Sequence, residues 1–321
     1  MYAPQPYKEG YLPVEDGHCV YYAEFGQVDG PVIVSVHGGP GSQSKPKHAA
    51  LFDLTRYRVV LFDQRGCGKS TPAGEVADNT TAHIVSDMER LRTTLGVPRW
   101  FVAGSSWGSA VALVYAETFP EVVAGLLLSA VFLADETTDT WAFANGDGVA
   151  RLFPDGWKEW QTGLERLGLT QLSRTEQQQQ LYELICQGTA KQRAAVAALM
   201  NNWEVNLLSR NIPVQFRRAE DMTDADIFST TIFLHYQVNK HFLELQQIEQ
   251  ALDRLGTVPI IIVHGRYDVL CPPAGAMAVA MRVAVAEVVW LPESHHVFSG
   301  DGAVARMYVF RDFLNQHAIS T

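Results

Sequence analysis

With 321 residues, 47% of them hydrophobic and 19% charged, the chain is large enough to bury a substantial core, and its composition excludes disordered and fibrous classes. Its 35 acidic and 25 basic side chains give a formal charge of -10 without long single-sign runs, which argues against nucleic acid and anionic lipid surfaces as partners. The four cysteines, Cys19, Cys67, Cys186 and Cys271, form no CxxC pair, so neither a metal site nor a disulfide framework is expected. The N-terminal MYAPQPYKEGYLPVEDG has no signal-like apolar run, and no stretch approaches the ~18 apolar residues of a membrane span, so a cytoplasmic protein is expected.

In chain order, HCVYYAEFG, PVIVSVHGG, YRVVLFD and RWFVAGSS are short β-branched and aromatic runs. VIVSV, VVLF and FVAG are nearly continuous in apolar character, the pattern of parallel strands covered on both faces, whereas HCVYYAEFG suits an antiparallel strand at the start of the sheet. Ile84, Val85, Met88, Leu91 and Leu95 form one helical face over residues 80–95, which Gly96 and Pro98 close. A second helix is expected from about Ser106 to Phe119 and Pro120, then a strand in VVAGLLLSAVFL.

Beyond Ala134 the texture changes to Trp-, Gln- and Arg-rich helical patterns with few strand-like runs, including a solvated EQQQQ face at Glu176 to Gln180. Strand patterns return in VPIIIVHG and VAEVVWLP, separated by the helix-like AGAMAVAMRV and followed by an amphipathic MYVFRDFLNQH. The expected organisation is an α/β core, with a mostly parallel central sheet, from residues 1–134 and 256–321, and an inserted helical cap over residues 135–255.

GSSWG, Gly104 to Gly108, matches GxSxG between a predicted buried strand and a predicted helix. A serine on so sharp a turn projects its hydroxyl above the sheet, which makes Ser106 the candidate nucleophile. The bland alternative is a turn serine capping the next helix, a role open also to Ser105 or Ser109. HGGPG, His37 to Gly41, follows PVIVSV and offers backbone donors, so the Gly39 and Trp107 amides are the expected oxyanion hole. His37 precedes the nucleophile, contrary to the Ser, Asp, His order of this arrangement, and is read as an orienting or packing residue.

Asp268 follows VPIIIVHG, and the histidines of ESHH follow VVWLP, with room for one helix and one strand between the two loops. Spacing does not separate His295 from His296, and Asp135 is a rival acid. No HExxH-like spacing calls for a metal, and no cofactor is expected. DQRGCGKS lacks the GxxxxGK[ST] spacing of a phosphate loop.

HGGPG, FDQRGCGKSTP, GSSWGSAVALVYAETFPE, GVARLFPDGW and HGRYD together resemble the proline iminopeptidase (prolyl aminopeptidase) family of α/β-hydrolases over most of the chain. The resemblance implies an α/β-hydrolase fold and a Ser106, Asp268, His295 triad. It also implies release of an N-terminal residue, often proline, from a small peptide, amino acid amide or ester under the helical cap. Asp63 and Arg65 would tie their loop beneath the site. Two cap glutamates hold the substrate ammonium in that family; the first matches Glu204, beside Trp203 in NNWEVN, but Phe233 occupies the second position and Met200 replaces a family tryptophan. Losing one carboxylate would weaken ammonium binding by on the order of 1 to 3 kcal/mol. An esterase, amidase or lactonase with the same triad is therefore the competing expectation, and a noncatalytic hydrolase-fold binding protein the remote one.

Overall fold

The computed structural model describes residues 3–143, 147–208, 216–244 and 246–318. Eight strands form one sheet: β1 (Lys8–Pro13), β2 (Cys19–Gly26), β3 (Val32–Val36), β4 (Arg58–Phe62), β5 (Trp100–Ser106), β6 (Val123–Val131), β7 (Ile260–Gly265) and β8 (Ala286–Leu291). Their spatial order is β1-β2-β4-β3-β5-β6-β7-β8. β1 and β2 pair antiparallel, as do β2 and β4, while every pairing from β4 through β3 to β8 is parallel. The expected antiparallel start is β2, and the sequence reading missed β1. Only Leu12 of its KEGYLP is buried, so this edge strand carries almost no apolar signal.

α1 (Pro46–Ala49), α2 (Thr81–Thr94) and α3 (Trp107–Thr118) connect the first strands. α2 begins where the Thr80 hydroxyl accepts the His83 amide, and it buries Ile84, Val85, Met88 and Leu91 as the 3.6-residue period requires. α10 (Ala274–Arg282) and α11 (Gly300–His317) belong to the closing half. One core packs α2, α3 and α10 on one face of the sheet, with Met88, Leu113 and Val279 among its members; a second packs Phe310, Phe313 and Leu314 of α11 on the other. Parallel strands covered on both faces explain the continuous apolar runs.

Between β6 and β7 the described residues contain helices and loops and no strand. The main helices are α4 (Glu136–Phe143), α5 (Pro154–Arg166), α6 (Arg174–Gln187), α7 (Ala190–Leu208), α8 (Asp224–Val238) and α9 (Gln247–Ala251). α5, α6 and α7 have a core of their own around Trp157, Trp160, Leu181, Val196 and Trp203, joined by Leu234 of α8, while Ile232 and Tyr236 of α8 and Ile248 of α9 pack into the first sheet core. Among the described residues, no helix is long and apolar enough to cross a membrane.

Candidate active site

β5 ends on Ser106, whose φ of 56 and ψ of -131 lie outside the regions that most side chains adopt, and α3 starts at the next residue. The flanking glycines are required by contact. A Cβ on Gly104 would stand 2.2 Å from the Gly108 carbonyl oxygen, and one on Gly108 would stand 2.3 Å from that of Val36. Strand and helix close on each other, and Ser106 alone projects outward. Its side chain caps nothing. The capping alternative therefore fails for Ser106; Ser109 instead donates to the Ser106 carbonyl at 2.6 Å and accepts from the Phe132 amide at 2.9 Å.

HGGPG packs directly against this turn. A Cβ on Gly38 would lie 3.3 Å from that of Ser106, and Gly39, at φ 112, lines the same cavity. Trp107 supplies the first amide of α3, one of the N–H groups a helix leaves without an internal acceptor. The Trp107 indole donates to Gln64 at 2.9 Å, and the Gln64 amide donates to His37 Nε2 at 3.0 Å, so His37 joins two loops. Asp63 accepts the amides of Ser44 and Lys69 at 2.7 and 2.8 Å, and Arg65 grips Asp87 through two bonds of 2.7 and 2.9 Å. Asp63 thus fixes the loop through backbone amides, and Arg65 by fork-on-carboxylate geometry.

Asp268 follows β7 and is 2% exposed. One of its oxygens accepts the Leu270 and Cys271 amides at 3.0 and 2.8 Å. The histidine against this carboxylate is His296, with Nδ1 at 3.0 and 3.1 Å from the two oxygens. This corrects the assignment of His295, which is half-buried and turns its Nδ1 to the Tyr267 carbonyl at 3.1 Å. The local cause is the close approach of the 292–296 loop to β7: a Cβ on Gly265 would stand 2.5 Å from the His295 carbonyl oxygen. With its backbone pressed on Gly265, the loop sends His296 inward. Asp135 is spent on the Thr138 amide at 2.6 Å and takes no part in the cluster.

Burial opposes a charge on His296, but the Asp268 carboxylate outweighs it and raises its pKa well above the ordinary value. Burial raises the pKa of the neighbouring Cys271 thiol, which lines the same cavity as Ser106. Among the described residues Ser106 Oγ has no direct hydrogen bond to His296. His264 fixes the same region from below: its Nδ1 accepts the Val131 amide at 3.1 Å and its Nε2 donates to the Cys271 carbonyl at 2.9 Å.

Above Ser106 lies a cavity of about 180 Å³, lined on the far side by Glu204, Asn201 and Phe233 from α7 and α8. Glu204 is exposed to solvent within the cavity; the protein packed around it raises its pKa by desolvation, while His296 pulls it down. No described residue forms a hydrogen bond or ion pair with it. Trp203 is 2% exposed, donates to the Ala142 carbonyl at 3.0 Å and packs edge-on against Trp157, so it is a wall of the cavity and part of the cap core together. Asn201, Cys271 and His241 also line the cavity and were missed from sequence. Asn201 could have been found by its i, i+3 relation to Glu204 on a helix.

A GxSxG turn at a strand end, with an Asp–His pair behind it, defines a hydrolase of the α/β type. The alpha/beta hydrolase fold family matches residues 31–300. Solved structures of the same fold include VinJ, with a TM-score of 0.63 and 21% identity over 98% of this chain and 100% of that one. An alpha/beta fold family hydrolase from Bacillus anthracis str. Sterne gives 0.63 and 18%, with the same coverage. Within that fold the chain belongs to the proline iminopeptidase family. It is 36% identical to a probable proline iminopeptidase of Leptolyngbya boryana, covering 94% of this chain and 92% of that protein. It is 35% identical to the proline iminopeptidase of Xanthomonas citri, covering 91% of each.

Proposed function

We propose that the chain is a serine aminopeptidase that releases N-terminal proline, or another small residue, from small peptides, amino acid amides or esters through an acyl-enzyme on Ser106. His296 Nε2 takes the Ser106 proton as Oγ bonds to the scissile carbonyl carbon. Asp268 holds the imidazolium by its Nδ1–H, and the Gly39 and Trp107 amides receive the developing oxyanion. His296 then passes the proton to the leaving amine as the C–N bond breaks. Water repeats the sequence on the ester, returns the proton through His296 and frees Ser106. Residues 135–255 act as the cap that limits the length of chain admitted on the N-terminal side, and the four unpaired cysteines suit a cytoplasmic setting.

The observation that carries this reading is Glu204, a carboxylate in the cavity that holds Ser106 and without a hydrogen-bond or ion-pair partner among the described residues. A carboxylate that faces the nucleophile across a cleft attracts a cationic group, and the ammonium of a free N-terminus supplies one. Phe233 in place of a second carboxylate favours the competing esterase or amidase reading. Glu204→Gln separates the two. For an aminopeptidase it lowers kcat/KM on prolyl arylamides by about tenfold or more and leaves N-acetylated substrates unaffected, one charged contact being worth roughly 1.5–3 kcal/mol. An equal effect on both, or none, rejects the role of Glu204.

A further inference from the structure

The turn that follows α8 places a histidine in the cavity wall on a strained backbone. Lys240, His241 and Phe242 stand in the left-handed region, with φ of 50, 57 and 53, which residues other than glycine seldom enter and almost never in succession. Contacts on both sides hold the turn there. The Thr81 hydroxyl donates to the His241 carbonyl, and the Phe242 ring packs against His235 and Tyr236 with centroids 4.9 and 5.4 Å apart. The His241 imidazole thereby lies 5.4 Å from the Trp107 indole and 5.2 Å, edge-on, from the Phe132 ring, and His241 and Phe132 line the cavity with Ser106. Strain kept by its surroundings at a substrate cavity is a sign of use.

His241 is 4% exposed, and neither ring nitrogen has a hydrogen-bond partner among the described residues. These nitrogens are not sealed in protein as His18 Nδ1 is, so they keep contact with the cavity. Burial holds the pKa of the ring down to about 4 and no charged group acts on it, so at neutral pH it offers one N–H donor and one lone pair without a charge. Glu204 stands on another side of the cavity, where it feels His296 and not His241. A substrate with its ammonium at Glu204, its carbonyl carbon at Ser106 and its oxygen at the Trp107 amide therefore sends its side chain toward Phe132 and His241. A hydroxyl there can pair with either ring nitrogen, since it both donates and accepts, whereas a methyl group of the same size displaces solvent and leaves the imidazole unpaired.

We propose that His241 is a specificity-determining residue that hydrogen-bonds the side-chain hydroxyl of an N-terminal threonine or serine, so that among small residues the chain prefers hydroxylated ones to apolar ones of the same shape. The inference rests on the aminopeptidase reading above and concerns the side chain of the released residue, not its ammonium.

The test compares kcat/KM for threonyl, valyl, seryl, alanyl and N-acetylthreonyl arylamides in the wild type, His241→Phe and His241→Gly. Threonine and valine share a shape, so their ratio isolates the hydroxyl. The wild type should favour threonyl over valyl, and seryl over alanyl, by about three- to tenfold, the worth of one neutral hydrogen bond. His241→Phe keeps a ring against Trp107 and Phe132 but has no nitrogen, and should bring both ratios to about one. His241→Gly takes the left-handed backbone without strain and should do the same, so the result does not hang on whether the phenylalanine variant folds. A wild-type ratio near or below one, or a preference that survives in His241→Gly, overturns the inference, while faster cleavage of threonyl than of N-acetylthreonyl arylamide leaves the aminopeptidase reading intact. Failure of that reading looks different: the N-acetylated substrate is then cleaved at least as well as the free amine.

Discussion

Replacing each of the adjacent histidines by glutamine should have opposite consequences. His296 is 8% exposed and held by both oxygens of Asp268, at 3.0 and 3.1 Å. Glutamine at this position can still donate to the carboxylate, so Asp268 is not left buried without a partner, but it cannot take the Ser106 proton. Loss of the base in a Ser-His-Asp system costs about 10⁴-fold or more in kcat/KM, and the expected loss for His296→Gln is of that order. His295 contributes one hydrogen-bond contact to the Tyr267 carbonyl at a half-exposed position. His295→Gln should therefore change kcat/KM by less than about threefold and stability by no more than about 0.5 kcal/mol. The assay is steady-state cleavage of a prolyl arylamide, with a thermal unfolding scan of each variant to exclude misfolding. A folded His295→Gln protein that loses activity by about 100-fold, beside a His296→Gln protein that keeps more than a tenth, would refute the pairing read from the geometry.

Asp268→Asn tests the electrostatics of the same pair. The base acts in its neutral form, so kcat/KM rises with pH through the His296 pKa, and the raised value places that limb above the ordinary histidine range. Without the carboxylate, burial dominates: the limb should move to lower pH while the plateau falls by about 10⁴-fold, and an unmoved limb contradicts the assignment. Glu117, on α3, offers a test of stability. Burial raises its pKa from 4.5 to about 8, with Arg254 opposing, and its Oε1 has no hydrogen-bond partner. A carboxyl group with a raised folded-state pKa contributes stability that is fully present below its unfolded value and is lost as pH rises through the folded one. The protein should thus weaken between about pH 4.5 and 8, and Glu117→Gln should flatten that slope, gaining roughly 1–3 kcal/mol at pH 9 in urea unfolding. Parallel pH profiles for the two proteins would remove Glu117 as the cause.

Ser106 and Asp268 were legible in the sequence because each follows a buried parallel strand, whose apolar run fixes where the sheet ends and the chemistry begins. The choice between His295 and His296 was not, since neighbouring residues of a loop point different ways and the deciding contact is the long-range approach of the His295 backbone to Gly265. β1 was hidden for a related reason: an edge strand with one buried residue has no core pattern to read. In the cap, Glu204 and Phe233 were found only through family resemblance, as α7 and α8 show little one-sided apolar pattern that could say which cavity they face. Asn201 has its meaning from the hydrogen bond that ties α7 to α8, a contact between segments 29 residues apart.

On the proposed function, a cationic N-terminus is recognised beside a serine nucleophile. The most direct test is the ratio of kcat/KM for prolyl and N-acetylprolyl arylamides, with Ser106→Ala as the blank. The expected ratio is about 100 or more, the loss when the cavity carboxylate is denied a cationic partner, with no turnover in the blank. A ratio near one with activity still dependent on Ser106 would contradict it, leaving a serine esterase or amidase in which Glu204 has another purpose.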